Sequence, residues 1–111
     1  MTIEGEALLA RIYIGESDTY DGRPLYDVIV RHLRERGIRG ASVFRGIEGY
    51  GRSSRVHTTR ILALSEDLPI LIEAVDEEAR LRPVLAELEP MIGGGLVTVE
   101  RIEVVVYRSR S

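Results

Sequence analysis

Three arginines and three glycines share the stretch Arg45-Gly46-Ile47-Glu48-Gly49-Tyr50-Gly51-Arg52-Ser53-Ser54-Arg55-Val56-His57. Arg offers a planar fork of donors suited to phosphate or carboxylate, and Gly lets a backbone approach a ligand and point its N–H groups at it. The chemistry on offer is anion binding. Gly46, Gly49 and Gly51 read as points of ligand approach, or as a bulged strand end needing unusual dihedrals. Arg45, Arg52 and Arg55 read as a phosphate clamp, or as solvated charges and ion pairs with Glu48 and a neighbouring subunit. Tyr50 has a ring to stack on a base, and equally to meet a partner or close a sheet edge. His57, between Val56 and Thr58, is placed for a ligand contact or for a structural hydrogen bond.

Other chemistries find less support. Ser53 and Ser54 have no recognisable His–Asp relay, and Asp76-Glu77-Glu78 reads as helix capping rather than as a paired acid and base. The chain has no Cys, which excludes disulfides, thiolate metal sites and cysteine nucleophiles. Two isolated histidines, His32 and His57, without a carboxylate at ligand spacing, argue against a transition-metal site. All 15 basic residues are Arg, so Schiff-base chemistry and a phosphate-loop lysine are ruled out. A net charge of −3 argues against a general nucleic-acid binder. An enzyme acting on a small phosphorylated metabolite could use the same anion cleft, but no general base stands out to serve it.

The elements that hold these residues follow from hydrophobic period. At 111 residues, 44% apolar and 30% charged, the chain is expected to form a single domain over 1–111. No apolar run approaches the roughly 18–20 residues of a membrane span. The acidic opening Met1-Thr2-Ile3-Glu4-Gly5-Glu6 is unlike a secretory signal, so the expected location is cytoplasmic. Ala7 to Ile14 alternates as a strand, with Leu8, Ala10, Ile12 and Ile14 on one face. Pro24 suits a first helical position, Leu25, Val28, Ile29 and Leu33 recur at helical spacing, and Gly37 provides the stop.

Ala41 to Ile47 is a second strand, Thr59 to Leu64 reads as a further extended piece, and Pro69 to Val75 is a strand inside a sheet. Asp76 is expected to cap a helix whose stripe is Leu81, Val84, Leu85, Leu88, Met91 and Ile92. Pro83 within it predicts a kink or a late start. Gly93-Gly94-Gly95 ends that helix, and Leu96 to Tyr107 is the last strand. The order β-α-β-β-α-β predicts an α+β ferredoxin-like sandwich, a four-stranded antiparallel sheet with two helices on one face. Apolar residues on both faces of several strands predict self-association through the other face.

Taken together, Ile12-Tyr13-Ile14-Gly15-Glu16, Pro24-Leu25-Tyr26, Gly37-Ile38-Arg39-Gly40-Ala41, Arg45 to Gly51 and Asp67-Leu68-Pro69 resemble the PII-like proteins, and more closely their branch called domain of unknown function 190. Gly49-Tyr50-Gly51-Arg52 is similar to the start of the PII T-loop, Gly93-Gly94-Gly95 to its glycine-rich B-loop, and Val99-Glu100-Arg101-Ile102 to its last strand, with Arg108 and Arg110 near its C-terminal arginines. The resemblance implies a homotrimer that binds an adenine nucleotide in clefts between subunits and signals to a partner through the 46–58 loop. The nucleotide-binding residues it implies, with those read from the glycine/arginine stretch, are Arg45, Gly46, Gly49, Tyr50, Gly51, Arg52, Arg55, His57, Gly93, Gly94, Gly95, Arg101 and Arg108. The short loop and missing lysine favour AMP or ADP over ATP, as an effector rather than a tightly bound cofactor. The resemblance implies a membrane transporter, such as a fluoride exporter, as partner. A ligand-free interaction scaffold is the alternative to both sensor and enzyme.

Overall fold

Residues 8–15 alternate buried and accessible side chains, and that period of two sets the architecture. A computed structural model describes residues 5–50, 57–58 and 67–108, the pair 57–58 through its backbone alone. Along the chain lie β1 (Gly5–Gly15), a small hairpin of β2 (Thr19–Tyr20) and β3 (Arg23–Pro24), α1 (Leu25–Glu35) and β4 (Gly40–Arg45). A second small pair follows, β5 (Glu48–Gly49) with β6 (His57–Thr58), and then β7 (Pro69–Asp76), α2 (Glu78–Leu88), a 3₁₀ turn (Glu89–Met91) and β8 (Leu96–Val104). The four long strands form one antiparallel sheet in the order β4-β7-β1-β8. Leu8, Ala10, Ile12 and Ile14 of β1 and Ile70, Ile72 and Ala74 of β7 bury against Leu25, Ile29 and Leu33 of α1 and Leu81, Val84 and Leu88 of α2. The ferredoxin-like α+β plan is therefore the observed one, and the nearly continuous apolar run of β7 lies inside the sheet. Thr59 to Leu64 lies outside the described residues. Among the described residues no helix is long and apolar enough to cross a membrane.

Several boundaries differ from the sequence reading, each for a local reason. Pro24 stands at the N-cap of α1 with ψ 127°, one place before the helix, because it still pairs with Thr19. At the other end Gly37 has φ 81°; its N–H reaches the Arg34 carbonyl and the Ile38 N–H reaches the Leu33 carbonyl, both at 3.0 Å. That pair of bonds is a Schellman cap, and it satisfies carbonyls the helix end would orphan. Asp76 is the last residue of β7 rather than the N-cap of α2, a place taken by Glu77. It is fully buried, and its carboxylate accepts from the N–H of Glu77 at 2.7 Å and of Arg39 at 3.0 Å, tying the start of α2 to the turn after α1.

Helix α2 runs through Pro83, so the late start does not occur. The lost bond falls on the Ala79 carbonyl, in an exposed turn. The helix proper stops at Leu88, short of Met91 and Ile92, because Pro90 cannot donate to a continuing helix, and the chain tightens into the 3₁₀ turn. Met91 and Ile92 still pack on the core. Strand β4 ends at Arg45, not Ile47, and β8 ends at Val104, not Tyr107, where its pairing with Gly5 finishes. Beyond it Tyr107 donates its hydroxyl to the Arg39 carbonyl, with its ring beside Gly40.

The face of the sheet away from the helices is arranged in rows, because antiparallel partners project to the same side. Phe44, Leu71, Tyr13 and Leu96 form one apolar row across all four strands, with Phe44 49% and Leu96 55% exposed. The adjacent row is polar throughout: Ser42, Glu73, Arg11 and Thr98. Arg11 Nε lies 3.3 Å from Glu73 and its Nη1 2.5 Å from Glu100. The accessible apolar surface expected on this face is present.

The helices are also linked on their outer side. Glu87 of α2 accepts from His32 at 2.8 Å and from Arg36 at 2.7 Å, both from the α1 end. The hydrogen bond from His32, and then that from Arg36, hold the Glu87 carboxyl below its ordinary value of 4.5. A depressed folded-state value means that this contribution is complete above the ordinary value and is lost as pH falls through the folded one. Glu87→Gln is therefore expected to flatten the acid limb of stability in denaturant titrations at stepped pH; an acid limb identical to that of the parent would remove the link.

Candidate functional site

The C-terminal end of β1, the end of β4 and the starts of β7 and β8 meet at one edge of the sheet, since Gly15 lies opposite Pro69, Arg45 opposite Ile70, and Tyr13 opposite Leu96. Three loops therefore converge there, and two of the glycine groups singled out from sequence are among them. Gly51, Arg52 and Arg55 lie outside the described residues, and so does the side chain of His57, whose backbone pairs with Gly49.

Gly46 and Gly49 have a packing reason for being glycine. A Cβ on Gly46 would stand 2.7 Å from the Pro69 ring, and one on Gly49 would stand 3.1 Å from it. The Gly46 N–H donates to the Pro69 carbonyl at 2.7 Å. These two glycines let the start of the loop close over β7, so ligand approach is not needed to explain them. Gly95 behaves likewise, since a Cβ there would meet the Tyr13 carbonyl oxygen at 2.5 Å. Gly93 and Gly94 are different: a Cβ on either meets nothing within 4 Å, and neither has a positive φ.

Two of the candidate arginines, Arg45 and Arg101, are engaged. Arg45 pairs with Glu16 at 2.6 Å beside the β1 end, so an incoming anion must compete with that carboxylate. Arg101 lies at the opposite end of the sheet, across from Leu8, and is hydrogen-bonded to Glu78 of α2. The Glu78 bond holds the Arg101 guanidinium more firmly protonated, while the hydrogen bonds from Arg82 and then Arg101 hold the Glu78 carboxyl below the usual range. Arg108 follows Tyr107, whose hydroxyl sits on Arg39 at that same far end. At about 3.4 Å per residue, Arg101 is about 17 Å along β8 from Leu96. One copy of the chain thus brings together Arg45, Gly46, Gly49, Gly93, Gly94 and Gly95 at one end, but not Arg101 and Arg108. Tyr50 stands 69% exposed beside the first group.

Three acidic residues at this end escaped the site reading. Asp67 lies directly over Gly15 and accepts from the Ser17 N–H at 2.8 Å. Asp18 accepts from the Gly15 N–H at 2.9 Å through Oδ2. Glu16 holds Arg45. Asp18 sat in a segment whose composition signals only a turn, and nothing in its spacing marks it. With Thr19, Leu25, Met91, Gly93 and Gly94 it lines a cavity of about 210 Å³. Among the described residues no group of three or more His, Cys, Asp or Glu is placed to hold a metal ion.

Residues 7–104 match the family profile of domain of unknown function 190, described as an uncharacterized ACR. A UPF0166 protein of Aquifex aeolicus is 35% identical over 97 residues, which cover 87% of this chain and 91% of that protein. A UPF0166 protein of Methanocaldococcus jannaschii is 38% identical over 95 residues, covering 85% of this chain and 87% of that protein. Among solved structures, CPII from Thiomonas intermedia K12, a nitrogen regulatory PII-like protein bound to ADP, AMP and bicarbonate, superposes with a TM-score of 0.66 at 19% identity, over 94% of this chain and 91% of that one. At that identity the likeness establishes the PII-like fold.

The distinction between crowded and open glycines is measurable. Gly46→Ala is expected to destabilise by about 1–3 kcal/mol, the usual cost of overpacking, whereas Gly93→Ala stays within about 0.5 kcal/mol of the parent. Equal shifts of the two variants in thermal or denaturant unfolding would refute it.

Proposed function

Since this chain belongs to the domain of unknown function 190 family, we propose that it is a PII-like regulatory protein that binds an adenine nucleotide, AMP or ADP, between the subunits of a homotrimer. The observation that carries this reading is the separation of the Gly93–Gly94 end of the sheet from Arg101 and Arg108. Within one chain these groups cannot meet on one small ligand; a neighbouring copy that offers its far end to the glycine end of the first brings them together. The accessible row Phe44, Leu71, Tyr13 and Leu96 gives such a copy an apolar surface to cover. ADP and AMP bound to CPII supply the ligand class.

In this reading Arg52, Arg55, Gly51 and His57 contribute from the 46–58 loop, and phosphate contacts there shift the loop between two states. Only a difference in nucleotide affinity between those states makes it a signal. The protein acts as an effector-binding module in the cytoplasm rather than as an enzyme. A membrane transporter is the class of partner that the family resemblance suggests.

Calorimetry with AMP, ADP, ATP and cyclic AMP, with mass in solution recorded on the same sample, tests the reading. One nucleotide per subunit of a trimer is the expected result, and Arg52→Ala is expected to lower that affinity about tenfold or more, the loss typical of a charged hydrogen bond, with the mass unchanged. A folded trimer that binds none of the four would leave an interaction scaffold in place of a sensor.

A further inference from the structure

Strand β8 loses its pairing at Val104, yet the chain beyond it is fastened. Val105 is 83% and Val106 50% exposed, so neither holds it. Tyr107 does: its hydroxyl donates to the Arg39 carbonyl, and its ring lies beside Gly40. Gly40 opens β4, which forms the opposite edge of the sheet from β8 in the order β4-β7-β1-β8. Neighbouring strands lie about 4.8 Å apart, so the two edges are separated by about 14 Å. The three residues from Val104 to Tyr107 span at most about 10–11 Å, and the phenol ring, held out toward Arg39, covers the rest. The C-terminal segment is therefore a strap across this end of the sheet, tied by one side chain.

The point of attachment is itself fixed. The Arg39 N–H donates to the Asp76 carboxylate at 3.0 Å, Asp76 is fully buried, and its other oxygen accepts from the Glu77 N–H at 2.7 Å. The Arg39 side chain is only 13% exposed, with Nη1 3.9 Å from Glu77. Arg108 comes directly after Tyr107 and is exposed, and among the described residues its guanidinium is in no ion pair, whereas Arg45 and Arg101 are each held by a glutamate. A chain end without such a tie frays. Here an uncommitted guanidinium stands one residue from a fixed point.

A cation carried on a frayed end must be ordered before it can grip a phosphate, and each side chain immobilised on binding costs affinity. A cation next to a hydrogen-bonded anchor has part of that ordering done in advance. The phenol O–H matters here, because a ring alone would pack beside Gly40 but could not bond the carbonyl. Resting on the nucleotide reading above, we infer that Tyr107 is the positioning residue for Arg108: by tying the strap to Arg39 it presents the Arg108 guanidinium to the phosphate of a nucleotide bound at the glycine end of the neighbouring copy, and itself touches no ligand.

Calorimetry with AMP and ADP on the full chain compares the parent, Tyr107→Phe, Arg108→Ala and the double variant, with mass in solution recorded for each. Arg108→Ala is expected to weaken binding about tenfold or more, the loss typical of a charged hydrogen bond. Tyr107→Phe, which keeps the ring beside Gly40, is expected to weaken it about two- to tenfold, the scale of ordering one long side chain, at unchanged mass. In the Arg108→Ala background the same change is expected to cost nothing further, since no guanidinium is left to place. A merely structural tyrosine would weaken binding equally in both backgrounds, and that result overturns the role of Tyr107 while the nucleotide reading stands. So does full affinity in Tyr107→Phe or in Arg108→Ala, or a change of mass in Tyr107→Phe. Absence of binding by the parent overturns both.

Discussion

Strand β1 is hydrogen-bonded along both edges, to β7 on one side and β8 on the other, while Leu8, Ala10, Ile12 and Ile14 press from one face into the helices. Because side chains alternate, a slip of one residue along either neighbour would turn that apolar set outward and bring Leu9, Arg11 and Tyr13 into the core. The register is therefore strongly specified, and with it the position of every strand end. Gly15 is held opposite Pro69, and Tyr13 opposite Leu96. The three loops that meet at this edge inherit their spacing from β1 and not from contacts of their own.

Carboxylates organise both ends of the sheet, but in different surroundings. At one end Asp76 is fully buried and spends both oxygens on backbone N–H groups, so that it joins two helix–strand junctions as a structural strut. At the other end Glu16, Asp18 and Asp67 are at least partly accessible, and each holds a nearby group: an arginine, a strand-end amide and a turn amide. A buried carboxylate with satisfied oxygens has little left to offer a ligand, whereas a partly wet one with a spare lone pair does.

Much of this was legible in the residues themselves. The stripe Leu25, Val28, Ile29 and Leu33 and the stop at Gly37 fix α1, and the alternation of residues 7–14 fixes β1, because in both cases local period and burial agree. The apolar run Ile70-Leu71-Ile72 identified an inner strand for the same reason. Where two structures share one pattern, local sequence does not decide between them. Val104-Val105-Val106-Tyr107 has the composition of a strand throughout, yet only the register with β1 decides where pairing ends. The glycines were harder, since Gly46 and Gly49 answer to Pro69, some twenty positions along the chain, and Gly95 to the carbonyl of Tyr13. Arg45, a candidate clamp, and Arg101, a candidate by resemblance, have acidic partners, Glu16 and Glu78, that are likewise remote in sequence. Such pairings are tertiary, and no local spacing reports them.

The banded sheet face carries one more implication. Rows of like direction recur every second residue, about 6.6–6.8 Å apart along the strands, and no two neighbouring bands here are alike: four large apolar side chains, then serine, two charges and threonine. Any body covering this face must therefore arrive in phase with it, as a key engages its wards. Displaced by a single band, it would set the Arg11–Glu73–Glu100 cluster against hydrocarbon, where even paired charge deprived of water is costly.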